Sequence, residues 1–486
     1  MSRSVAQNTT YLTASYILQK VISFFYFILI ARSISVENVG TYTFAMSFTT
    51  LAAVFIDMGL SQILIRESAK YKDKAKEYLS ATLSFRFIAS LVVYLLVFLG
   101  IGLFLKHPLG NDSVANDLLT KQLVYLSGLV MIMDSFTLGF WGLFRGFQNL
   151  KYEAIGVVLN QLIVVAIGGA SLFFKLPLHF LVIAFIGGSL FNLIFSAILV
   201  RRKLKIKLSF NWDKKLIFSL LKLSFPFALL AIFGRIYGYI DQILLYFLAG
   251  AKEIALYSSA YKMIFALQFI PSAFAAAIFP AMSSYFVEAK DKLKDIFDKS
   301  MAYLTMLAVP IMFGIASLAD KIIGAAYTDD YLPAVITLQL LSIGVVFVFL
   351  NFPLGSLLNA TDRQVQNTKL VGLTMIINLT LNIILIPILK YNGAAIAFLC
   401  SHGFLFFAGL YCARKVIAYS KRLLLISFAK TVLAGGIMSL VVMSIKDSVN
   451  ILLSIAVGAI VYLAVMLAVK GIDKKDYNEF KKIFLR

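Results

Sequence analysis

Apolar residues run through this chain in blocks of about twenty or more, separated by short polar connections. A bilayer core takes about 20 apolar residues per helix. On that rule the pattern predicts spans at 11-31, 39-64, 79-105, 122-144, 154-174, 178-200, 217-248, 254-285, 299-322, 331-358, 367-389, 393-413, 423-445 and 449-469. The fold class is therefore an all-α polytopic membrane protein of about fourteen transmembrane helices. An even number of spans puts both termini on one side.

The blocks repeat. At an offset of 215 residues, Val39-Gly40-Thr41-Tyr42-Thr43-Phe44-Ala45 aligns with Ile254-Ala255-Leu256-Tyr257-Ser258-Ser259-Ala260, and near the same offset Gly142-Leu143-Phe144 aligns with Ser356-Leu357-Leu358. Six spans separate the members of each pair, and an even number per repeat gives parallel repeats with a site expected between them. The chain then divides into an N-terminal lobe (1-205, spans 1-6), a C-terminal lobe (206-420, spans 7-12) and a segment (421-486) holding spans 13-14 and a tail, the two six-helix lobes being pseudo-symmetric. Pro226, Pro271, Pro280, Pro310, Pro353 and Pro387 all fall in spans of the second repeat. Because proline kinks helices, the second lobe is expected to be the more bent.

Composition agrees and adds orientation. Sixty per cent of the 486 residues are hydrophobic, well above a soluble domain. A formal charge of +21 would suggest nucleic acid in a soluble chain. Here 31 of the 45 basic residues lie in the tails and the connections after even-numbered spans, against 8 in the opposite connections. That bias puts both termini in the cytoplasm of a multi-pass cell-membrane protein and leaves no case for a nucleic-acid partner. The most basic stretch, Arg201 to Lys215, is either a contact with anionic membrane lipid or a solvated topology signal. Cys400 and Cys412 lie twelve apart on one predicted helix, about 18 Å at the helical rise, too far to bridge. His107, His179 and His402 have no ligand spacing, so no metal site is read. No phosphate-binding G-x-x-x-x-G-K-[ST] loop is present, and Asp329-Asp330 reads as a solvated connection, not as the metal site of a glycosyltransferase.

An ordered set of short motifs carries a resemblance. Ala31-Arg32, Glu37-Asn38-Val39-Gly40-Thr41-Tyr42, Asp57-Met58-Gly59-Leu60 with Arg66-Glu67, Arg145-Gly146, Asp241, Tyr257-Ser258-Ser259-Ala260-Tyr261-Lys262 and Phe279-Pro280-Ala281 together resemble the Wzx-type oligosaccharide flippases. These form part of the polysaccharide-export branch of the multidrug/oligosaccharidyl-lipid/polysaccharide superfamily. The resemblance runs from about residue 5 to 420 and departs at Ser33-Ile34-Ser35-Val36, where family members more often have Leu-Gly-Pro. It implies a non-enzymatic flippase that moves a polyprenyl-pyrophosphate-linked oligosaccharide from the cytoplasmic to the outer leaflet by alternating access. A polysaccharide polymerase and glycosyltransferases would be further partners. No cofactor is implied beyond a coupling ion, Na+ or H+. A cation-coupled multidrug antiporter of the same superfamily is the alternative, followed by a membrane-embedded polysaccharide ligase.

Charges inside spans select the candidate residues, because an ionised group at bilayer depth costs several kcal/mol and normally faces a bundle interior or a wet cavity. Lys20 and Arg235 occupy matching places in the two repeats. Four cations are candidates for substrate binding: Lys20, Arg235, Lys262 and Arg86. Guanidinium forks match phosphate oxygens and an ammonium adds a point charge. Asp57, Asp134 and Asp241 are charge partners or coupling groups, with Asp57 placed to meet Arg86 and Asp241 to meet Lys262. Gln19, Tyr237, Tyr239, Tyr261 and Gln268 are candidate sugar contacts. Gln242, Asn160, Gln161, Asn378 and Asn382 offer the same chemistry, but such groups also join helices. An antiporter of cationic drugs would favour an acidic cavity, which the surplus of mid-span cations opposes.

Overall fold

The computed structural model describes residues 2–104, 117–210 and 212–471. Among these every regular element is helical. In chain order they are α1 (Ser2–Ser33), α2 (Val36–Ala52), α3 (Val54–Asp57), α4 (Leu60–Lys70), α5 (Ala75–Phe104), α6 (Asp117–Gly146), α7 (Lys151–Phe173), α8 (His179–Lys203), α9 (Lys214–Ala249), α10 (Ala251–Ala266), α11 (Phe269–Glu288), α12 (Lys290–Ala326), α13 (Ala334–Ala360), α14 (Gln364–Arg414), α15 (Lys421–Ile445) and α16 (Ile451–Ala468). Side chains fix several of the starts by accepting hydrogen bonds from otherwise unpaired first-turn amides. Ser35 caps α2, Asp213 caps α9, Ser420 caps α15 and Asn450 caps α16. Ser35 thus opens α2 where the resembled family more often carries Leu-Gly-Pro.

Among the described residues, thirteen helical segments are long and apolar enough to cross a membrane. One of them, α14, has 51 residues, about 75 Å if straight and more than twice the ~30 Å hydrocarbon core. It is not straight. Lys390 has φ 52° and ψ −132°, and a Cβ added at Gly393 would stand 2.4 Å from the backbone oxygen of Leu385. Residues eight apart in a continuous helix are about 12 Å apart, so the chain reverses at Lys390. Asn378 Nδ2 donates to Ser401 Oγ across the two arms at 3.4 Å. Counting the arms separately gives the fourteen crossings that the hydrophobic blocks predict.

Two further breaks interrupt predicted spans. The second span stops at Met58 (φ 43°) and Gly59 (φ 73°) before resuming as α4. A Cβ at Gly59 would lie 2.7 Å from Ala228 N on α9, so glycine serves both the left-handed backbone and the close approach. The eighth span breaks between α10 and α11 at Leu267 and Gln268, three residues before Pro271. Pro226, Pro310 and Pro353, by contrast, sit inside continuous helices. Proline-linked breaks therefore do fall in the later half, near Pro271 and Pro387, but the first half has a break of its own built on glycine.

Packing divides the chain into two units, residues 1–255 and 256–486, whereas the repeat places its boundary at 205/206. The difference is α9. Ile217 and Leu220 of α9 join Leu60, Ile63 and Ala81 in one buried cluster. Tyr246 stacks on Phe44 at 3.9 Å and shares a 2.6 Å hydrogen bond with Thr120. The core of the first unit is the cluster of Leu64, Leu79, Leu83, Phe140, Trp141, Phe144 and Val200. In the second unit, Leu318 of α12 packs with Ala434, Met438 and Val442 of α15 and Tyr462 and Met466 of α16. The last two spans are thereby built into that unit.

Candidate functional site

In the first unit the cations at bilayer depth separate into open and closed positions. Lys20 is exposed on α1, with Gln19 half-buried beside it. Arg235 is exposed on α9 between Gly234 and Gly238, and a Cβ added at either glycine would meet no atom within 4 Å. This stretch of α9 therefore borders open space. One turn on, the Tyr239 ring centroid lies 5.9 Å from Arg235 Cζ, within cation–π range. Tyr237 and Tyr239 are half-buried. Farther along α9, Asp241 and Gln242 are buried, and Gln242 Oε1 accepts from Ser47 Oγ of α2.

Asp134, halfway along α6, is exposed and accepts a hydrogen bond from the Ser189 side chain of α8. The first unit thus presents an open carboxylate as well as two open cations.

Arg86 is different. It is 0% exposed, its Nη2 donates to Asp57 Oδ1 and, at 2.7 Å, to Ser61 Oγ, and its Nη1 donates to the Ser135 carbonyl. Ser61 Oγ in turn donates to Asp57 Oδ1 at 2.5 Å. Asp57 and Arg86 meet as their depths predict, at the break that ends α3. With no surface open to a ligand, Arg86 is not one of the substrate-facing cations; it holds the broken second span against α5 and α6.

The spacing of charges did not pick out a second buried network. Arg145 at the end of α6 binds Glu153 at the start of α7 in a fork, Nε to Oε2 at 2.9 Å and Nη2 to Oε1 at 2.5 Å. Tyr16 of α1 donates to Glu153 Oε1 at 2.9 Å and accepts from Arg145 Nη2 at 3.1 Å. Glu153 is 1% exposed, so the fork carries a carboxylate that would otherwise be buried uncompensated. Arg145 and Glu153 face each other across a short connection, a legible signal; nothing in the sequence pointed to Tyr16.

The remaining candidates lie in the second unit. Lys262 is half-buried on α10 and belongs to the second packing unit, Asp241 to the first. Tyr261 is the middle ring of a ladder down α10, 5.6 Å from Tyr257 and 5.9 Å from Phe265, with Phe398 edge-on at 5.9 Å. Gln268 stands at the break between α10 and α11 and lines a cleft. Asn378 and Asn382 are fully buried within the α14 hairpin; Asn378 bonds Ser401 across the two arms, whereas Asn382 Nδ2 donates to the Asn378 carbonyl of its own arm at 2.9 Å. Gln161 is likewise buried, on α7. His179 bonds Gln122 at 2.6 Å, and His107 lies outside the described residues.

A family model described as "Polysaccharide biosynthesis protein" matches residues 5–286, more than half of the chain. The chain belongs to this family. Over 81% of its length it is 23% identical to the capsular polysaccharide biosynthesis protein CapF of Staphylococcus aureus, covering 95% of that protein. It is 21% identical to the probable low-salt glycan biosynthesis flippase Agl15 of Haloferax volcanii, over 76% of this chain and 74% of that one. Its fold is that of the lipid II flippase MurJ in an inward closed conformation, with a TM-score of 0.78, 16% identity and coverage of 98% of this chain and 99% of the other. The apolar helices and this shared fold make the chain a multi-pass membrane protein.

Proposed function

We propose that the protein is a flippase that carries a polyprenyl-pyrophosphate-linked oligosaccharide from the cytoplasmic to the outer leaflet of the cell membrane, with both termini cytoplasmic. The names of its relatives support a glycan precursor as the cargo. The observation that carries the anionic head group is the pair of exposed cations, Lys20 and Arg235, at mid-span in the first unit. A bilayer tolerates an exposed cation at that depth only where water or an anion replaces its hydration. Asp134, open and hydrogen-bonded to Ser189, supplies the titratable or cation-binding group for coupling to H+ or Na+. Alternating access then moves the head group while the lipid tail stays in the bilayer. A drug antiporter is the weaker reading, because the two open cations would repel cationic drugs.

The test is complementation of a strain lacking the protein, reading surface glycan at matched protein level. A Lys20→Ala, Arg235→Ala double variant is expected to lose export while keeping normal abundance. Full export by that variant would overturn the assignment of the head-group site.

A further inference from the structure

The second unit contains a cleft of about 400 Å³ between α13 and the two arms of α14, with Gln268 also in its lining. That volume is in the range of small-molecule sites. Its lining combines apolar residues with Gln268, Asn351, Ser356, Asn359, Asn367 and His402. No Lys, Arg, Asp or Glu lines it. The regularity lies in α13, where Asn351, Gly355 and Asn359 follow one another at four-residue intervals and so form one stripe. Glycine in the middle of the stripe leaves room between the two amides. Asn367 Nδ2 donates to Asn359 Oδ1 at 3.2 Å, which fixes that amide pair across the cleft.

Asn351 supplies the observation that points to a ligand. Its Nδ2 donates to the His402 carbonyl at 3.2 Å, while its Oδ1 is buried with no hydrogen-bond partner among the described residues. A buried acceptor left unmet is costly; it has no open surface as it stands, and a rotation of the Asn351 amide into the cleft would let a ligand hydroxyl meet it. The aromatic part of the lining is supplied by the rings of Phe352 and His402.

We propose that this cleft is a saccharide subsite that takes uncharged sugar units. Amides and a hydroxyl hydrogen-bond to sugar hydroxyls and acetamido groups, and the adjoining rings cover the apolar C–H faces. A pyrophosphate or a uronate would find no cation there. The proposal rests on the glycan cargo argued above and adds a division of labour: the first unit takes the charged head group, and the second selects the neutral sugars.

The experiment uses the full-length protein in detergent, titrated with lactose, diacetylchitobiose, cellobiouronic acid or inorganic pyrophosphate, with melting temperature as the readout. At least one neutral disaccharide should protect, and more strongly than the uronate. Asn351→Leu, Asn359→Leu and Gly355→Leu should each raise the concentration needed by about tenfold, the effect of removing one ligand hydrogen bond or its space. Pyrophosphate protection should be unchanged in all three. Gly355→Ala is the control, because its added Cβ would meet only Asn367 Nδ2, at 3.8 Å. Protection by neither neutral disaccharide, or protection that survives all three leucine variants, overturns the subsite. A neutral-sugar response that depends on these residues, in a protein indifferent to pyrophosphate, upholds the subsite and overturns the head-group assignment instead.

Discussion

Arg86 and Asp57, 29 residues apart in sequence, form an ion pair beside the left-handed turn that divides the second span. The guanidinium is wholly buried and also binds Ser61, the second residue of the helix that follows the turn. One side chain from α5 therefore holds both sides of the break. Gly59, in the turn, sits against the backbone of α9, so the pair also sets the surface on which α9 rests.

Removing one member of this pair should damage folding before function. Asp57→Ala leaves Arg86 buried without its counter-charge, a cost of about 3 to 5 kcal/mol. The expected result is low abundance and a lowered melting temperature in detergent. A double variant, Asp57→Asn with Arg86→Met, should recover much of that loss because no isolated charge remains. Normal abundance and melting of Asp57→Ala would show that the pair does not carry the break.

The hairpin at Lys390 gives a second test, through a contact that tolerates no side chain. A Cβ at Gly393 would stand 2.4 Å from Leu385 O, whereas one at Gly436 on α15 would meet nothing within 4 Å. Gly393→Ala should therefore cost about 1 to 3 kcal/mol of stability or more, as overpacking does. Gly436→Ala should be neutral or gain up to about 1 kcal/mol from helix propensity. Thermal unfolding of the two variants side by side checks the prediction, and equal melting temperatures would contradict the reversal.

The sequence was most informative where the physics is one-dimensional. Length and hydrophobicity place the spans, including the two arms of α14, because the bilayer imposes a fixed thickness. The depth of Asp57 and Arg86 foretells their meeting, because consecutive antiparallel spans put equal depths side by side. It was less informative where three helices converge. Tyr16 joins Arg145 and Glu153 from 129 and 137 residues away, and its own surroundings in α1 carry no mark of that. The repeat places α9 with the later helices, yet the choice of packing partner is made by Gly59, Phe44 and Thr120, small or flat surfaces with no periodic signature. Likewise the amide stripe at Asn351, Gly355 and Asn359 is visible in sequence only as two asparagines in an apolar run. The approach of α14 makes it a cleft.

The glycines flanking Arg235 allow access to be tested separately from charge. If the open face of α9 receives a phosphate group, filling that face should hinder export even though Lys20 and Arg235 remain. Gly234→Ala and Gly238→Ala add a methyl group that meets nothing within 4 Å, so both should fold normally and gain up to about 1 kcal/mol of helix stability. Gly234→Trp and Gly238→Trp carry a large ring into the same space and should cut surface glycan severalfold at unchanged abundance. Arg235→Lys should fall between wild type and Arg235→Ala, because it keeps the charge but loses the planar fork. The measurement is surface glycan per unit of membrane protein across the series. Undiminished export by both tryptophan variants would place the head group elsewhere than on this face of α9, whatever the effect of the charge substitutions.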